Sequence, residues 1–351
     1  MNWTFNLLDW FSKQQRPMPW RQNPSAYGTW ISEMMLQQTQ VVTVIPYFER
    51  FMTQFPTIQS LADAPLEKVL KAWEGLGYYS RARNLHKAAK IIVNDFNGTV
   101  PNNYKTLLTL PGIGPYIAAA IGSIAFEEPV PVVDGNVLRV FTRYWGIFDD
   151  IMKMTTRTML TDRLTPYIQD VKPSDFNQAI MELGALICKP KDPLCSTCPL
   201  QEKCFAFHSQ KIAELPYKPK KAAVPHHTIV VGVIWKDDKV LITKRKEDQM
   251  LGGLWEFPGG KLEKGESLKQ ALIREVNEEV DIQIKVGAVY GVIKHAYSHF
   301  KITLHAYHCE YVSGTPIAKS ASDLKWVSPK TLHDLPFPKA NKSLIPLIIN
   351  S

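Results

Sequence analysis

Residues 110–121 read LPGIGPYIAAAI, a glycine-rich turn between two apolar segments, YKTLLTL before it and YIAAAIGSIAF after it. Gly112 and Gly114 are expected to allow a tight turn with positive φ and a close backbone approach. Pro115 suits the first position of the second helix, where a missing N–H costs nothing. Such a turn aims bare amides outward from a helix N-terminus, which is a sequence-independent seat for a nucleic-acid phosphate. An ordinary interhelical turn would use the same residues, and the stretch alone leaves both readings open.

Around this turn, residues 1–210 read as helical. Trp3, Leu7, Leu8, Trp10 and Phe11 recur at helical spacing, and so do Trp30, Ile31, Met34, Met35, Val41 and Val42. Pro46, Pro56, Gly75, Gly77 and Pro101 are expected helix stops. Residues 211–226 begin KIAELPYKPKKAAVP, with three prolines and four lysines, and read as a linker. Residues 227–351 are α+β. TIVVGVIW and KVLIT flank Asp237-Asp238 as a hairpin, a polar helix spans about 267–280, and further strands follow.

The 351 residues are 45% hydrophobic and 21% charged, enough for two packed cores and too apolar for global disorder. No apolar run reaches 18 residues, and the N-terminus carries Asp9 without an early basic cluster, so neither a membrane span nor a signal peptide is expected. The expected location is the cytoplasm and the expected state a monomer. A net charge of +8 weakly favours a polyanionic partner. Four of the five cysteines follow the spacing Cys188-x6-Cys195-x2-Cys198-x5-Cys204. Four thiolates in one compact loop can hold a [4Fe–4S] cluster or a zinc ion. The single CxxC with long arms favours iron–sulfur, in a structural role that shapes a loop bearing Lys189, Lys191 and Lys203.

LPGIGPYIAAAI, VVDGNV with its Asp134, and the four-cysteine loop together resemble the helix–hairpin–helix DNA glycosylases of the endonuclease III superfamily. WISEMMLQQTQV (30–41) and GLGYYSRARNL (75–85) narrow the resemblance to the MutY family of adenine DNA glycosylases. The resemblance implies roles. Glu33 resembles the general acid that protonates adenine, and Asp134 the carboxylate that stabilises the sugar cation. Tyr116 and Asn136 resemble the residues that support and orient that group. Gln38 and Tyr78 match residues that enter the duplex beside the lesion, and Gly112 and Gly114 the DNA-binding hairpin. The implied substrate is double-stranded DNA carrying adenine opposite 8-oxoguanine or guanine.

Cleaving an N-glycosidic bond demands this pair of acids. One carboxyl must be protonated to activate the leaving base, and the other must be ionised beside the oxocarbenium-like sugar. Glu33 among Trp30, Met34, Met35 and Leu36 should have its pKa raised by desolvation. Asp134 ahead of NVLRVFTRYW should be kept ionised by the helix dipole. Each residue also has a plain structural reading: Asp134 an N-cap, Glu33 a solvated helix face, Tyr78 a surface turn aromatic. In the superfamily's strand-cleaving members, a Schiff-base lysine stands where this chain has Tyr116. A phenol forms no imine, so base removal without strand cleavage is expected.

Residues 251–282, LGGLWEFPGGKLEKGESLKQALIREVNEEVDI, resemble a Nudix box, with Gly260, Glu266, Arg274, Glu275, Glu278 and Glu279 at family spacing and Asp281 where glycine is usual. One helix face then carries three carboxylates suited to Mg2+. The resemblance implies that this half reads the oxidised guanine, through Tyr297-Ser298-His299. Two other readings stay open: a Nudix-type nucleotide pyrophosphatase fused to a DNA-binding domain, and a catalytically silent binder of damaged DNA.

Overall fold

The computed structural model describes residues 3–219, 224–297 and 299–350. Its contacts divide the chain into two units: residues 1–63 with 84–221, and residues 64–83 with 222–351.

In the described residues the first unit is helical. Trp3, Leu7 and Phe11 of the helix Trp3–Gln14 point one way and enter a core with Phe141, Leu160, Leu164, Phe176, Ile180 and Leu183. The apolar spacing from Trp30 to Val42 is not one helix. The helix Ala26–Leu36 ends, Gln38 turns left-handed with φ 57°, and Val41–Gln54 starts afresh with Val42 exposed. Pro46, an expected stop, lies inside that second helix. The carbonyl it leaves unbonded, four residues back, belongs to exposed Val42, where water can serve it.

The glycine turn is built unevenly. Gly112 has φ 77°, and a Cβ there would lie 2.6 Å from Cβ of Asn84. Gly114, expected at positive φ, instead has φ −87° and ψ −179° and open space around it. It caps the helix Pro115–Phe126 in extended backbone that any residue adopts. That helix is narrow on its buried face (Ala118, Ala119, Ala120, Gly122, Ser123), which lets it pack against both Ala26–Leu36 and Pro173–Leu186. The start of the expected linker is tied down within this unit: Leu215 is buried, its carbonyl accepts from Arg143 Nε at 2.8 Å, and that of Tyr217 from Ile151 N at 3.3 Å.

The second unit is a mixed sheet: β1 (His226–Lys236), β2 (Lys239–Lys244), β3 (Trp255–Glu256), β4 (Gly259–Lys261), β5 (Gln283–Ala296), β6 (Lys301–Ser313) and β7 (Asp323–Val327). Its central order is β3-β2-β1-β6-β5, with β1 and β6 parallel. The β1–β2 hairpin closes through Asp237-Asp238, with Asp237 left-handed at φ 54°. Alternation sends Val231, Val233, Ile242 and Trp255 to one face, under the helix Ile345–Ile349. Val230, Ile234 and Leu241 go to the other, under Ala271, Leu272 and Val276 of the helix Leu268–Val280. Asp281 ends that helix at φ 59° and pairs with Lys319 at 2.6 Å, so it fills the left-handed position usually taken by glycine. Among the described residues no helix is long and apolar enough to cross a membrane.

Candidate active site and cysteine loop

Three helix termini bring the acids together. Glu33 lies in the third turn of Ala26–Leu36 and is 5% exposed. Tyr116, in the first turn of Pro115–Phe126, donates its hydroxyl to Glu33 Oε2. Burial pushes the Glu33 pKa up to about 7; the Tyr116 hydrogen bond and the Arg21 charge pull against this, and the Asp134 charge adds to it. The solvated-face reading of Glu33 therefore fails, and a proton on this carboxyl is available near neutrality.

Asp134 caps the helix Gly135–Trp145. Its Oδ1 accepts from Val137 N at 2.7 Å and its Oδ2 from Asn136 Nδ2 at 2.8 Å. The expected N-cap is present. Burial raises the Asp134 pKa, and the Val137 and Asn136 N–H groups and the Arg139 charge oppose that rise. The strand-like approach to Asp134 is fixed by buried Asn177. That side chain accepts from Val132 N at 2.9 Å and donates to Val130 O at 2.8 Å and Ser123 Oγ at 2.7 Å. Asn136 fits because residue 184 is glycine: a Cβ at Gly184 would lie 2.6 Å from that of Asn136.

Sequence reading missed Arg16, Arg21 and Glu182. Glu182 is 2% exposed and holds Arg16 bidentately at 2.8 and 2.9 Å, with Arg21 Nη2 at 3.3 Å. Burial would raise its pKa, but the Arg16 hydrogen bonds and the Arg21 charge outweigh that and lower it. The available signal was a lone carboxylate inside the apolar stretch FNQAIMELGAL, tolerable in a core only if paired.

Gln38 and Tyr78 both stand at turns in the left-handed region, at φ 57° and 49°. That conformation is costly for such side chains and collects at functional positions. Tyr297 and Phe300 close the β5–β6 connection, with Tyr297 N donating to Phe300 O at 2.9 Å and the rings stacked at 4.8 Å, and His299 is exposed at its tip. Ser298 lies outside the described residues.

Cys188, Cys195, Cys198 and Cys204 line one small cavity, closed by Arg143, Ile187, Pro193, Gln201, Phe207 and Ile212. Among the described residues no three His, Cys, Asp or Glu side chains close on a single ion. Four thiols lining one cavity are the donor set that a [4Fe–4S] cluster requires. Burial pushes the Cys198 thiol up to about 12, so its thiolate needs a cation beside it. Arg143 holds the loop through Lys189 O at 2.7 Å and Cys188 Sγ at 3.5 Å. Arg139 donates to Cys188 O at 2.7 Å and to Asn136 Oδ1 at 2.9 Å.

In the Nudix-box helix Arg274 engages Glu266 at 2.6 Å, Glu275 at 3.1 Å and Glu278 at 3.2 Å. Glu279 turns inward, accepting from Gly259 N at 3.0 Å and Thr243 Oγ1 at 3.2 Å, and burial pushes its pKa up to about 7. Its neighbour Glu256 is paired with Arg245 at 2.7 Å.

Residues 31–166 match the HhH-GPD superfamily base excision DNA repair proteins, and residues 230–347 match the NUDIX domain. Fold and site thus define a helix–hairpin–helix DNA glycosylase of base excision repair with a C-terminal Nudix domain. The chain is 35% identical to adenine DNA glycosylase of Buchnera aphidicola subsp. Schizaphis graminum (strain Sg), over 97% of this chain and 96% of that one, and 34% identical to that of Rattus norvegicus, over 92% and 73%. It belongs to the adenine DNA glycosylase family. Among solved structures, a thermostable thymine-DNA glycosylase aligns with TM-score 0.53 and 27% identity over 59% of this chain and 95% of that one. An endonuclease III–DNA complex aligns with TM-score 0.51 and 23% identity over 59% and 94%, a likeness of fold.

Proposed function

We propose that the protein removes adenine paired with 8-oxoguanine or guanine and leaves an abasic site in an uncut strand. The observation that carries this is buried Glu33, hydrogen-bonded by Tyr116 and within electrostatic reach of Asp134. Glu33 gives its proton to the flipped adenine, and the C1′–N bond breaks with its electron pair going to the base. The resulting sugar cation is stabilised by the Asp134 carboxylate, which Asn136 and the Val137 amide orient. Water adds to C1′, and the Glu33 carboxylate takes back a proton. Tyr116 offers no amine to C1′, so no Schiff base forms and the strand is not cut. Gly112 and the first amides of Pro115–Phe126 seat a phosphate, and Gln38 and Tyr78 enter the opened duplex.

Residues 188–204 would hold a [4Fe–4S] cluster through Cys188, Cys195, Cys198 and Cys204, which when bound supplies a rigid crosslink for the loop. The helical residues 1–210 carry the chemistry, and residues 227–351 read the base opposite, through Tyr297, Ser298 and His299. What supports a reading rather than a hydrolytic role is the engagement of the Nudix-box carboxylates by Arg274, Gly259 and Thr243.

Single-turnover excision on A:8-oxoguanine and A:G duplexes, resolved on gels with and without alkali, tests the proposal. Strand breaks are expected only after alkali. His299→Ala is expected to narrow the preference for 8-oxoguanine by roughly 2- to 10-fold, the worth of one hydrogen bond, with A:G excision nearly unchanged. Unchanged preference in that variant, or Mg2+-dependent pyrophosphate release from free nucleotides that Glu278→Gln abolishes, would overturn the assignment to the second half.

A further inference from the structure

The turn Gly75-Leu76-Gly77-Tyr78 is held from two sides. Within the turn, Arg81 donates to the carbonyls of Leu76 and Gly77 at 3.2 Å each, and its guanidinium lies 5.5 Å from the Tyr78 ring centroid. Trp73 Nε1 donates to Gly77 O at 3.2 Å. These contacts hold Tyr78 in left-handed backbone, a conformation that persists only where neighbours over-determine it.

The other side lies within the same unit but far along the chain. The Glu74 side chain is 6% exposed, immediately before the turn, and accepts from Phe337 N at 3.1 Å and Lys71 Nζ at 3.0 Å, and from Lys342 Nζ. Glu67 accepts from Trp255 Nε1, and Arg83 donates to Gly252 O at 2.7 Å. Both ends of the Ala64–Arg83 stretch and its middle are therefore tied to the Nudix domain. A carboxylate largely shielded from water and bonded by an amide and two ammonium groups is a firm joint, because moving it would give up three charge-assisted hydrogen bonds at once.

We propose that Glu74 is a positioning residue that joins the Tyr78 turn to the Nudix domain and so fixes the direction in which Tyr78 enters the duplex. The proposal rests on the reading that Tyr78 does enter it. The Nudix domain then contributes to duplex opening as well as to reading the opposite base. Pre-setting the turn removes the ordering cost that a loose turn would incur on binding.

The test is a double-mutant cycle on the full chain, reading duplex affinity and the fluorescence of 2-aminopurine placed beside the lesion. Tyr78→Ala should weaken mispair binding about 10-fold, the scale of one lost base–aromatic stack, and abolish the fluorescence change. Glu74→Ala should do nearly the same alone and add nothing to Tyr78→Ala. Glu74→Gln, whose amide oxygen still accepts from Phe337 N, should restore most of both signals. Lys342→Ala removes the joint from its far side, should show the same non-additivity, and replaces Glu74→Ala in the cycle if that variant fails to fold. Additive losses with an active Tyr78→Ala effect would overturn the joint and leave the Tyr78 reading standing. No effect of Tyr78→Ala would remove both.

Discussion

Glu33→Gln is expected to bind the mispaired duplex as the parent does and to lose adenine excision by about 10²–10⁴-fold, the usual contribution of a positioned general acid. The amide still accepts the Tyr116 hydroxyl, so the local packing survives, but it has no acidic proton to give the leaving base. Parental single-turnover rates in the purified variant would refute the role. The parent's pH profile should carry the same signature. Excision should fall as pH rises through about 7, where Glu33 loses its proton. On the acid side it should fall where Asp134 takes one up, and burial places that limb above the ordinary aspartate range. The alkaline limb should disappear in Glu33→Gln whatever residual activity is left.

Stability gives an independent reading of the same carboxyl. Burial pushes the Glu33 pKa up from the ordinary value of 4.5 to about 7 in the folded chain. Between those values the folded state binds more protons, so the parent loses stability as pH rises from 4.5 towards 7 and no more beyond it. Glutamine has no such loss. Glu33→Gln should therefore gain roughly 2–4 kcal/mol relative to the parent between pH 4 and pH 8. A difference that does not change with pH in denaturant titrations would mean that Glu33 ionises freely.

What the sequence revealed was local. The tight turn at Gly112, the Asp134 cap, the four-cysteine spacing and the polar helix near 267–280 each depend on residues close together in the chain. What it hid was pairing at a distance. Glu182 and Arg16 are 166 residues apart, and Glu74 and Phe337 are 263 apart, so no periodicity or spacing joins them. The break at Gln38 was hidden because the apolar spacing on either side continues through it in phase. The upward push on Asp134 was hidden because burial, unlike a helix terminus, is a property of the packed core. The same limit applied to Gly114: a glycine before a helix reads as a left-handed turn, and the structure needs that freedom only at Gly112.

The loop 188–204 should depend for its shape on the [4Fe–4S] cluster proposed for it. Its only regular structure is two single turns, Cys195–Thr197 and Gln201–Lys203, too short to hold themselves. Cys188, Cys198 and Cys204 pack against the helical core, and all four cysteines line one cavity. The purified protein is expected to be yellow-brown with about four iron atoms per chain. Cys198→Ala should lose colour, iron and DNA affinity together. The loss should reach the chemistry as well. Without a fixed Cys188 carbonyl, Arg139 keeps only its Gly184 O contact at 2.7 Å as a strong anchor and holds less firmly against Asn136, and Asn136 in turn orients Asp134. Residual excision at saturating protein should therefore fall by more than 10-fold, the scale expected when the group orienting a catalytic side chain is released. Arg139→Gln should reproduce that fall while keeping the iron, because it cuts the link without removing a thiolate. Zinc in place of iron in the parent, or a Cys198→Ala protein that binds and excises normally, would overturn the argument.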